Sequence, residues 1–189
     1  PGVTNVNGYL PNARWYDYHT ARDVGVRGQM IDMPTPLDHI NLHIRGGYIL
    51  PWQKPENTTY YSRKNPLGLI VPLSDSGTAE GSLFWDDGEG IDTVETNKYL
   101  LISFSAQSNT LSSQVTHNGL ATGDRLKLGV VKVWGAGSTK ITEVTLTVAG
   151  VAHNLTPEHN VDSQELIIDT TSKDVYVDQP FIITWQTSV

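Results

Sequence analysis

The chain has 189 residues, a formal net charge of −7, 17% charged residues and no cysteine. The acidic balance and the lack of a basic cluster make nucleic acid and anionic membrane surfaces poor partners, and the lack of cysteine excludes disulfides and thiolate metal sites. No apolar run reaches the roughly 18 residues that a membrane-spanning helix needs, so the chain itself is expected to make no membrane contact.

Short strands between turn signals are predicted along the whole chain, with no helix. In chain order they cover residues 13–19, 39–44, 48–50, 67–73, 82–85, 98–105, 111–117, 127–134, 142–148, 166–168 and 181–185. Strand 39–44 is expected to place Ile40, Leu42 and Ile44 on one face. Asn118-Gly119 predicts a two-residue hairpin after strand 111–117. The pattern is typical of an all-β protein built from antiparallel β-sandwich domains.

The strongest alternation lies near the C-terminal end of the chain. Val144, Leu146 and Val148 are expected to point inward, with Thr145 and Thr147 outward. Phe181, Ile183 and Trp185 share a face in the same way. These two strands are therefore predicted to line a core.

A linker is predicted at residues 51–66, which hold three prolines, polar residues and little apolar periodicity. The chain is accordingly divided into residues 1–53 and residues 54–189. The first unit has few strands for a sandwich, whereas the second has enough strands to close its own core.

Two N-glycosylation sequons begin at Asn57 and Asn154. Because such sequons are used only in secreted compartments, they favour a secretory-pathway protein. The chain opens at Pro1 without a signal peptide, so a signal or membrane anchor is expected upstream, in a longer parent protein.

His39 and His43 resemble a metal pair only if they lie on a helix. In the predicted strand, four residues span about 13 Å, too far for one zinc ion with ligands near 2.1 Å. Half-buried histidines bonded to backbone are the favoured interpretation, and no metal or cofactor site is predicted.

An acidic loop contains Asp86, Asp87, Glu89 and Asp92 together with Gly88 and Gly90. A calcium site and an ordinary structural turn both remain open, although the spacing does not fit an EF-hand. Two carboxyls of a retaining glycosidase must lie about 5–5.5 Å apart across a sugar-sized cleft. Adjacent aspartates on one tight turn cannot do this, and no catalytic residue is predicted.

Aromatic side chains are the remaining candidates for function, since they stack on sugar rings and also dominate domain interfaces. The aromatic residues in question are Trp15, Tyr16, Tyr18, Trp52, Tyr60, Tyr61 and Trp85. Interface packing is the favoured role, with charged neighbours that pair with one another. The predicted domain-interface residues are Arg14, Trp15, Tyr16, Asp17, Arg45, Trp52 and Trp85.

Three separated segments carry the most specific signal. They are Arg14-Trp15-Tyr16-Asp17-Tyr18, the run HINLHIRGGYILPWQ from His39 to Gln53, and Phe84-Trp85-Asp86-Asp87-Gly88. In this order and spacing they resemble the C-terminal β-domains of glycoside hydrolase family 31, above all those of its intestinal α-glucosidases. One departure is Thr20-Ala21, where relatives carry a Thr-Gly turn, and the geometry of that turn is left open.

The resemblance implies the non-catalytic C-terminal region of a retaining α-glucosidase that acts on maltose and starch oligosaccharides. Members of the family carry their aspartate nucleophile and acid/base in a (β/α)8 barrel. The nucleophile's Trp-x-Asp-Met-Asn-Glu type motif is absent here, and the string Ile31-Asp32-Met33 precedes Pro34 and is taken as coincidence.

By the same resemblance, residues 1–53 would be the latter part of a proximal sandwich and residues 54–189 a complete distal sandwich. The implied partners are the catalytic barrel and N-terminal domain of the same parent enzyme, which would also bind the starch-derived oligosaccharide. The implied location is the secretory pathway or the extracellular face of the cell membrane, through an anchor that lies outside this chain.

Two other classes of function stay open. Sandwiches with exposed aromatic residues often bind glycans, so a carbohydrate-binding module is the main alternative. An extracellular adhesion domain of immunoglobulin type is the third, although the Cys…Trp…Cys pattern of that fold is missing.

Overall fold

The structure is a computed structural model that describes residues 2–120 and 125–187. Fifteen strands dominate it, together with one four-residue helix and a 3₁₀ turn at Thr171–Lys173. In chain order the elements are β1 (Asn5–Leu10), β2 (Trp15–Asp17), β3 (Gln29–Pro34), β4 (His43–Arg45), β5 (Leu50–Trp52), α1 (Thr59–Ser62), β6 (Leu67–Pro72), β7 (Ala79–Trp85), β8 (Leu100–Gln107), β9 (Thr110–Asn118), β10 (Leu128–Trp134), β11 (Ile141–Val148), β12 (Val151–Leu155), β13 (Glu158–Asn160), β14 (Glu165–Asp169) and β15 (Phe181–Thr187).

Two sheets face each other as a β-sandwich. One has five strands in the order β13-β14-β10-β6-β5, and the other has six in the order β12-β11-β15-β9-β8-β7. All pairs are antiparallel except β6 with β10, which run parallel. The all-β sandwich predicted from the sequence is therefore confirmed.

The main core lies between the two sheets. The inward residues predicted on the last strands are all buried: Val144, Leu146, Val148, Phe181, Ile183 and Trp185. They pack against residues from the five-stranded sheet such as Leu69 and Val131. Alternating side chains on both sheets thus bury one face each, as in other sandwiches.

Strand β6 is buried on both faces. Leu69 and Val71 enter the main core, whereas Ile70 belongs to a second cluster on the outer side of the sheet. That cluster also contains Tyr16, Ala21 and Trp134. A segment from the start of the chain therefore forms a third layer over the five-stranded sheet.

This N-terminal segment, residues 2–50, holds two small antiparallel sheets, β1 with β3 and β2 with β4. Its end continues into the sandwich, because β5 pairs antiparallel with β6 across the predicted linker. The same linker contains α1, whose first turn is capped by the Thr58 side chain. The expectation of a chain without helix is wrong at this one turn.

Two further expectations are wrong. The predicted strand 39–44 exists only from His43 onward, and Ile40 is 75% exposed. The hairpin predicted at Asn118-Gly119 does not form, since β9 and β10 lie in different sheets. Two-residue hairpins instead join β8 to β9 through Ser108 and Asn109, and β11 to β12 through Ala149 and Gly150, with all four residues at positive φ.

Four strands were not predicted from the sequence: β1, β3, β12 and β13. Most of their side chains are exposed or half-buried, so they lack the one-sided apolar alternation that marks a core strand. Among the described residues, no helix is long and apolar enough to cross a membrane.

Candidate functional site

Tyr16 connects the N-terminal segment to the sandwich. Its side chain is fully buried, and its hydroxyl lies 2.7 Å from the Leu73 carbonyl oxygen and 3.2 Å from that of Trp134. The Tyr16 and Trp134 rings are 5.9 Å apart between centroids. Leu73 directly follows β6, and Trp134 ends the neighbouring strand β10, so one hydroxyl ties the N-terminal segment to the ends of two strands.

Burial raises the pKa of Tyr16 well above its ordinary value, so the hydroxyl keeps its proton and donates. Gly135 closes the other side of this contact. It has φ 77°, and a Cβ at this position would overlap the Tyr16 hydroxyl. Glycine is required here both by backbone conformation and by space.

An ion-pair network surrounds Tyr16. Asp23 binds Arg14 at 2.8 Å and Arg27 at 2.9 Å, and Arg27 also binds Asp75 at 2.9 Å. Arg14 lies 5.0 Å from the centroid of the Tyr16 ring. Since Asp75 belongs to the turn between β6 and β7, the network fastens the N-terminal segment to the sandwich a second time.

The charges of this network set one another's ionisation. Burial by itself would raise the pKa of Asp23, but hydrogen bonds from Arg27, the Gly25 N–H and Arg14 outweigh it and lower that pKa to about 2. The hydrogen bonds that Arg27 donates to Asp75 and Asp23 raise the pKa of Arg27, and the bond that Asp75 accepts from Arg27 lowers the pKa of Asp75. The pairs therefore stay ionised through the physiological range.

Asp17 organises the turn that follows β2. Its Oδ1 accepts hydrogen bonds from the backbone N–H groups of His19 and Thr20 and from the Thr20 hydroxyl. These bonds lower the pKa of Asp17 although burial opposes them. Ala21 then takes φ 58°. The turn thus has the left-handed backbone conformation that glycine adopts most easily, although the residue at this position is alanine.

A surface groove of about 510 Å³ lies between α1, the end of β7 and residues 125–127. The Arg63 guanidinium stacks 3.9 Å from the Trp85 ring centroid and donates to the Asp86 carbonyl oxygen. Tyr60, which is 59% exposed, also borders the groove. Arg63 covers one face of Trp85, and Tyr60 is the more open aromatic surface.

The acidic loop uses its carboxylates to hold its own shape. Asp86 Oδ1 accepts from the Gly88 N–H at 2.9 Å, and Asp87 Oδ1 accepts from the Glu89 and Gly90 N–H groups at 2.9 and 2.8 Å. Asp86 Oδ2 also accepts from the Thr93 hydroxyl. Within residues 2–120 and 125–187, no group of three or more histidine, aspartate or glutamate side chains is placed to hold a metal ion.

The structure separates the predicted interface residues into two places. Arg14, Tyr16 and Asp17 lie at the junction just described. Trp15 is half-buried beside them, and its Nε1 donates to the Pro11 carbonyl oxygen. Arg45 is exposed, with its guanidinium 5.2 Å from the Tyr48 ring centroid.

The two remaining tryptophans end strands β5 and β7. Trp52 is half-buried under Gly68, its Nε1 is buried without a partner among the described atoms, and Lys132 lies 5.4 Å from its ring. Trp85 lies in the groove. Sequence reasoning missed Asp23, Arg27 and Asp75, because residues up to 48 positions apart in sequence carry no local signal of pairing.

The two histidines of the suspected metal pair have different neighbours. His39 packs against His19 with ring centroids 4.7 Å apart, while His43 lies in β4. Both sequon asparagines, Asn57 and Asn154, are exposed. Asn57 precedes α1 and Asn154 lies within β12.

Comparison with known proteins shows which family the chain resembles. The Glycosyl hydrolase family 31 C-terminal domain matches residues 1–50. Human intestinal sucrase-isomaltase is 45% identical over 98% of this chain and 10% of its own length. Residues 1–50 thus match the C-terminal domain of glycoside hydrolase family 31, and nearly the whole chain is similar to a relative of that kind.

A second human relative, named Probable maltase-glucoamylase 2, is 44% identical over 95% of the chain and 7% of its own length. The chain therefore spans about a tenth of the length of the curated relatives it matches. In fold it matches the crystal structure of a glucosidase II alpha subunit with a TM-score of 0.87, at 24% identity over 98% of this chain and 22% of that one.

Proposed function

We propose that this family 31 chain is the non-catalytic C-terminal β-sandwich region of a retaining α-glucosidase, similar to maltase-glucoamylase. The parent enzyme hydrolyses α-glucosidic bonds of maltose and starch oligosaccharides. The chain supports the catalytic barrel, which another part of the parent supplies. The similarity to sucrase-isomaltase over nearly the whole chain supports the assignment to this class of enzyme.

The proposal that the chain supports the barrel rests on the exposed apolar side chains of the N-terminal segment. More than half of the large exposed apolar side chains among the described residues lie within residues 2–50, about a quarter of the chain. They include Val6, Tyr9, Met30, Leu37 and Ile40, with Met30 55% exposed and Leu37 fully exposed. Met30 pairs with Tyr9 in the β1–β3 register, so these two exposed side chains adjoin each other, and adjoining exposed apolar side chains are typical of a protein interface. We infer that this surface, here called the N-terminal apolar face, packs on the barrel of the parent.

The arrangement of carboxylates favours a chain without its own chemistry. Asp86 and Asp87 accept hydrogen bonds from their own loop, and Asp23 and Asp75 are engaged by arginines. A glycosidase needs one carboxyl that is protonated at working pH. The shifted pKa values of Asp23, Asp75 and Asp87 all move downward, which is the opposite of what a general acid requires.

The domain boundary and location follow as parts of the same proposal. Residues 1–53 end a proximal sandwich and residues 54–189 form the distal one, to whose five-stranded sheet residues 1–53 add strand β5. Tyr16 joins the two. The partners are the barrel and the N-terminal domain of the parent, which binds the starch-derived oligosaccharide. The two sequons favour the secretory pathway, with any membrane anchor in the parent.

The test uses the parent enzyme with a charge placed on the N-terminal apolar face. Met30→Asp should lower the melting temperature of the parent, because a carboxylate would be buried against the barrel. Affinity for a glucose-like inhibitor should stay unchanged at temperatures where the enzyme is folded. Ile182→Asp is the matched control, since Ile182 is 45% exposed on the outer side of the sandwich.

Two outcomes would contradict the proposal. One is equal melting temperatures for Met30→Asp and wild type, which would mean that the apolar face is uncovered in the parent. The other is hydrolysis of maltose by the purified chain alone, abolished by changing one of its own aspartates. That result would place the catalytic acids here.

The groove favours a second candidate function, a carbohydrate-binding module. Its open aromatic side chain is Tyr60, beside carboxylates that could accept hydrogen bonds from sugar hydroxyls. Titration of the chain with maltooligosaccharides to millimolar concentration, followed by heat or tryptophan fluorescence, tests it. A signal that is lost in Tyr60→Ala would support a binding module, and no signal would remove it.

A further inference from the structure

The two sheets of the sandwich have four edges, and three are protected. The β7 edge is covered by residues 47–49, since the Ile49 N–H donates to the Glu80 carbonyl oxygen at 2.8 Å and the Glu80 N–H to that of Gly47 at 3.0 Å. Strand β5 has three residues with Pro51 in the middle, and β13 has only three residues. Short length, proline and coverage are the usual means of blocking edge-to-edge pairing.

The fourth edge, β12, has none of these protections. It has five residues, Val151–Leu155, without proline, lysine or a carboxylate. Its one strand neighbour is β11, and among the described residues no backbone hydrogen bond from elsewhere reaches it. It lies at the opposite side of the six-stranded sheet from the edge that residues 47–49 cover.

The hairpin register shows which backbone groups are open. The pair next to a two-residue turn, Val148 with Val151, is hydrogen-bonded, and hydrogen-bonded and non-bonded pairs alternate after it. Ala152 and Asn154 therefore direct their N–H and C=O groups away from β11. A strand from another molecule would pair with the backbone of these two residues.

Asn154 is also the acceptor residue of the second sequon. Its side chain is exposed on the outer face of the sheet, opposite Thr145, whose hydroxyl donates to Asn154 Oδ1 at 3.4 Å. That contact uses the oxygen and not Nδ2, the atom to which an N-linked glycan attaches. The sequon asparagine is thus one of the two residues whose backbone groups are open on the β12 edge.

We propose that Asn154 is glycosylated and that its glycan guards the β12 edge against strand addition by a second copy of the chain. This inference rests on the proposed secretory location. In the modification, Nδ2 forms a bond to the anomeric carbon of a lipid-linked oligosaccharide pyrophosphate. The bond from that carbon to the pyrophosphate oxygen breaks, the lipid pyrophosphate leaves, and the amide loses one proton.

Asn57 supplies an internal control. It is exposed like Asn154, but it lies in the loop before α1 and not in an edge strand. A glycan there adds the same mass and solubility without covering β12. A difference between the two sites therefore separates edge protection from a general effect of glycans on solubility.

The experiment expresses the full chain with an added secretion signal in mammalian cells, so that it does not depend on the activity of the parent. The variants are wild type, Asn154→Gln, Thr156→Ala and Asn57→Gln. Site occupancy is read by mass spectrometry after enzymatic deglycosylation, which converts a modified asparagine to aspartate. Light scattering across a concentration series measures self-association.

We expect Asn154 to be occupied, and self-association to rise several-fold in both variants that lack its sequon but not in Asn57→Gln. Adding Ala152→Lys to Asn154→Gln should restore the wild-type state, because a charged edge residue resists pairing. The proposal is overturned by an unmodified Asn154, by equal behaviour of Asn154→Gln and wild type, by an equal effect of Asn57→Gln, or by failure of Ala152→Lys to rescue.

Discussion

Removal of one hydroxyl group at Tyr16 should measurably loosen the attachment of the N-terminal segment. Tyr16→Phe keeps the ring and its packing against Trp134 but leaves the buried Leu73 carbonyl without the donor that lies 2.7 Å away. A buried polar group left unsatisfied costs about 1–3 kcal/mol. We expect the free energy of unfolding to fall by that amount.

The melting temperature gives a second measure of the same loss. For a domain of this size, 1 kcal/mol corresponds to about 2–4 °C, so Tyr16→Phe should melt about 2 to 12 °C below wild type. Urea unfolding followed by tryptophan fluorescence reports the change directly, because Trp134 lies against the altered ring. Tyr9→Phe is the matched control, since Tyr9 is 58% exposed and a surface change of this kind stays within about 0.5 kcal/mol.

Gly135 lies against the Tyr16 hydroxyl and offers a second test of the same contact. Gly135→Ala alone should destabilise the chain, because the added methyl overlaps the Tyr16 hydroxyl and φ is 77°. In the double variant with Tyr16→Phe, the overlap between the added methyl and the Tyr16 hydroxyl is removed. The double variant should therefore lose less stability than the sum of the losses measured in the two single variants. The account is refuted if Tyr16→Phe behaves like Tyr9→Phe, or if the two losses simply add.

Three other changes probe the same fold. Asp23→Asn should lower the free energy of unfolding at pH 7. The difference in stability between Asp23→Asn and wild type should shrink between about pH 4 and pH 2, because stability held by a carboxylate of lowered pKa is lost as that group is protonated. A difference that stays unchanged in acid would contradict this. Burial, together with the charge of Lys140, lowers the pKa of His159, so wild type should lose stability as pH falls below about 6.5. His159→Asn keeps an acceptor for one backbone N–H but does not take up a proton, so urea titrations at pH 7 and pH 5 should show a smaller loss for this variant. Gly81→Ala should cost about 1–3 kcal/mol by overpacking, because its methyl would overlap the Ile49 backbone, whereas the exposed neighbour Ser82→Ala should leave the urea midpoint unchanged.

The core strands could be predicted because their burial is one-sided. Val144, Leu146 and Val148 alternate with threonines, and in the structure all three are buried beneath the sheet. The same holds for Phe181, Ile183 and Trp185. An alternating pattern indicates a strand with one face on the core and the other in solvent. Prediction from the pattern was wrong where a strand had no such pair of faces.

Strand 39–44 shows one such failure. Ile40, Leu42 and Ile44 alternate like core residues, yet Ile40 and Leu42 are exposed. We propose that they belong to the N-terminal apolar face, and under that proposal the alternation reflects an interface with the parent enzyme and not a core of this chain. Strand β12 fails for the opposite reason, since its exposed, mixed sequence carries no pattern although it pairs with β11.

The sequence by itself determined the all-β class, most strands of the main core and, through three short segments, the family. Those properties depend on residues that are near one another in the chain or on motifs that are read directly. Only the tertiary structure decided that Tyr16 reaches Leu73 and Trp134, that Arg27 pairs with Asp75, and that β12 is left as an open edge. Each of these depends on which distant segments meet, and local sequence does not specify that, because the free energy of such a contact arises only when the sheets have assembled.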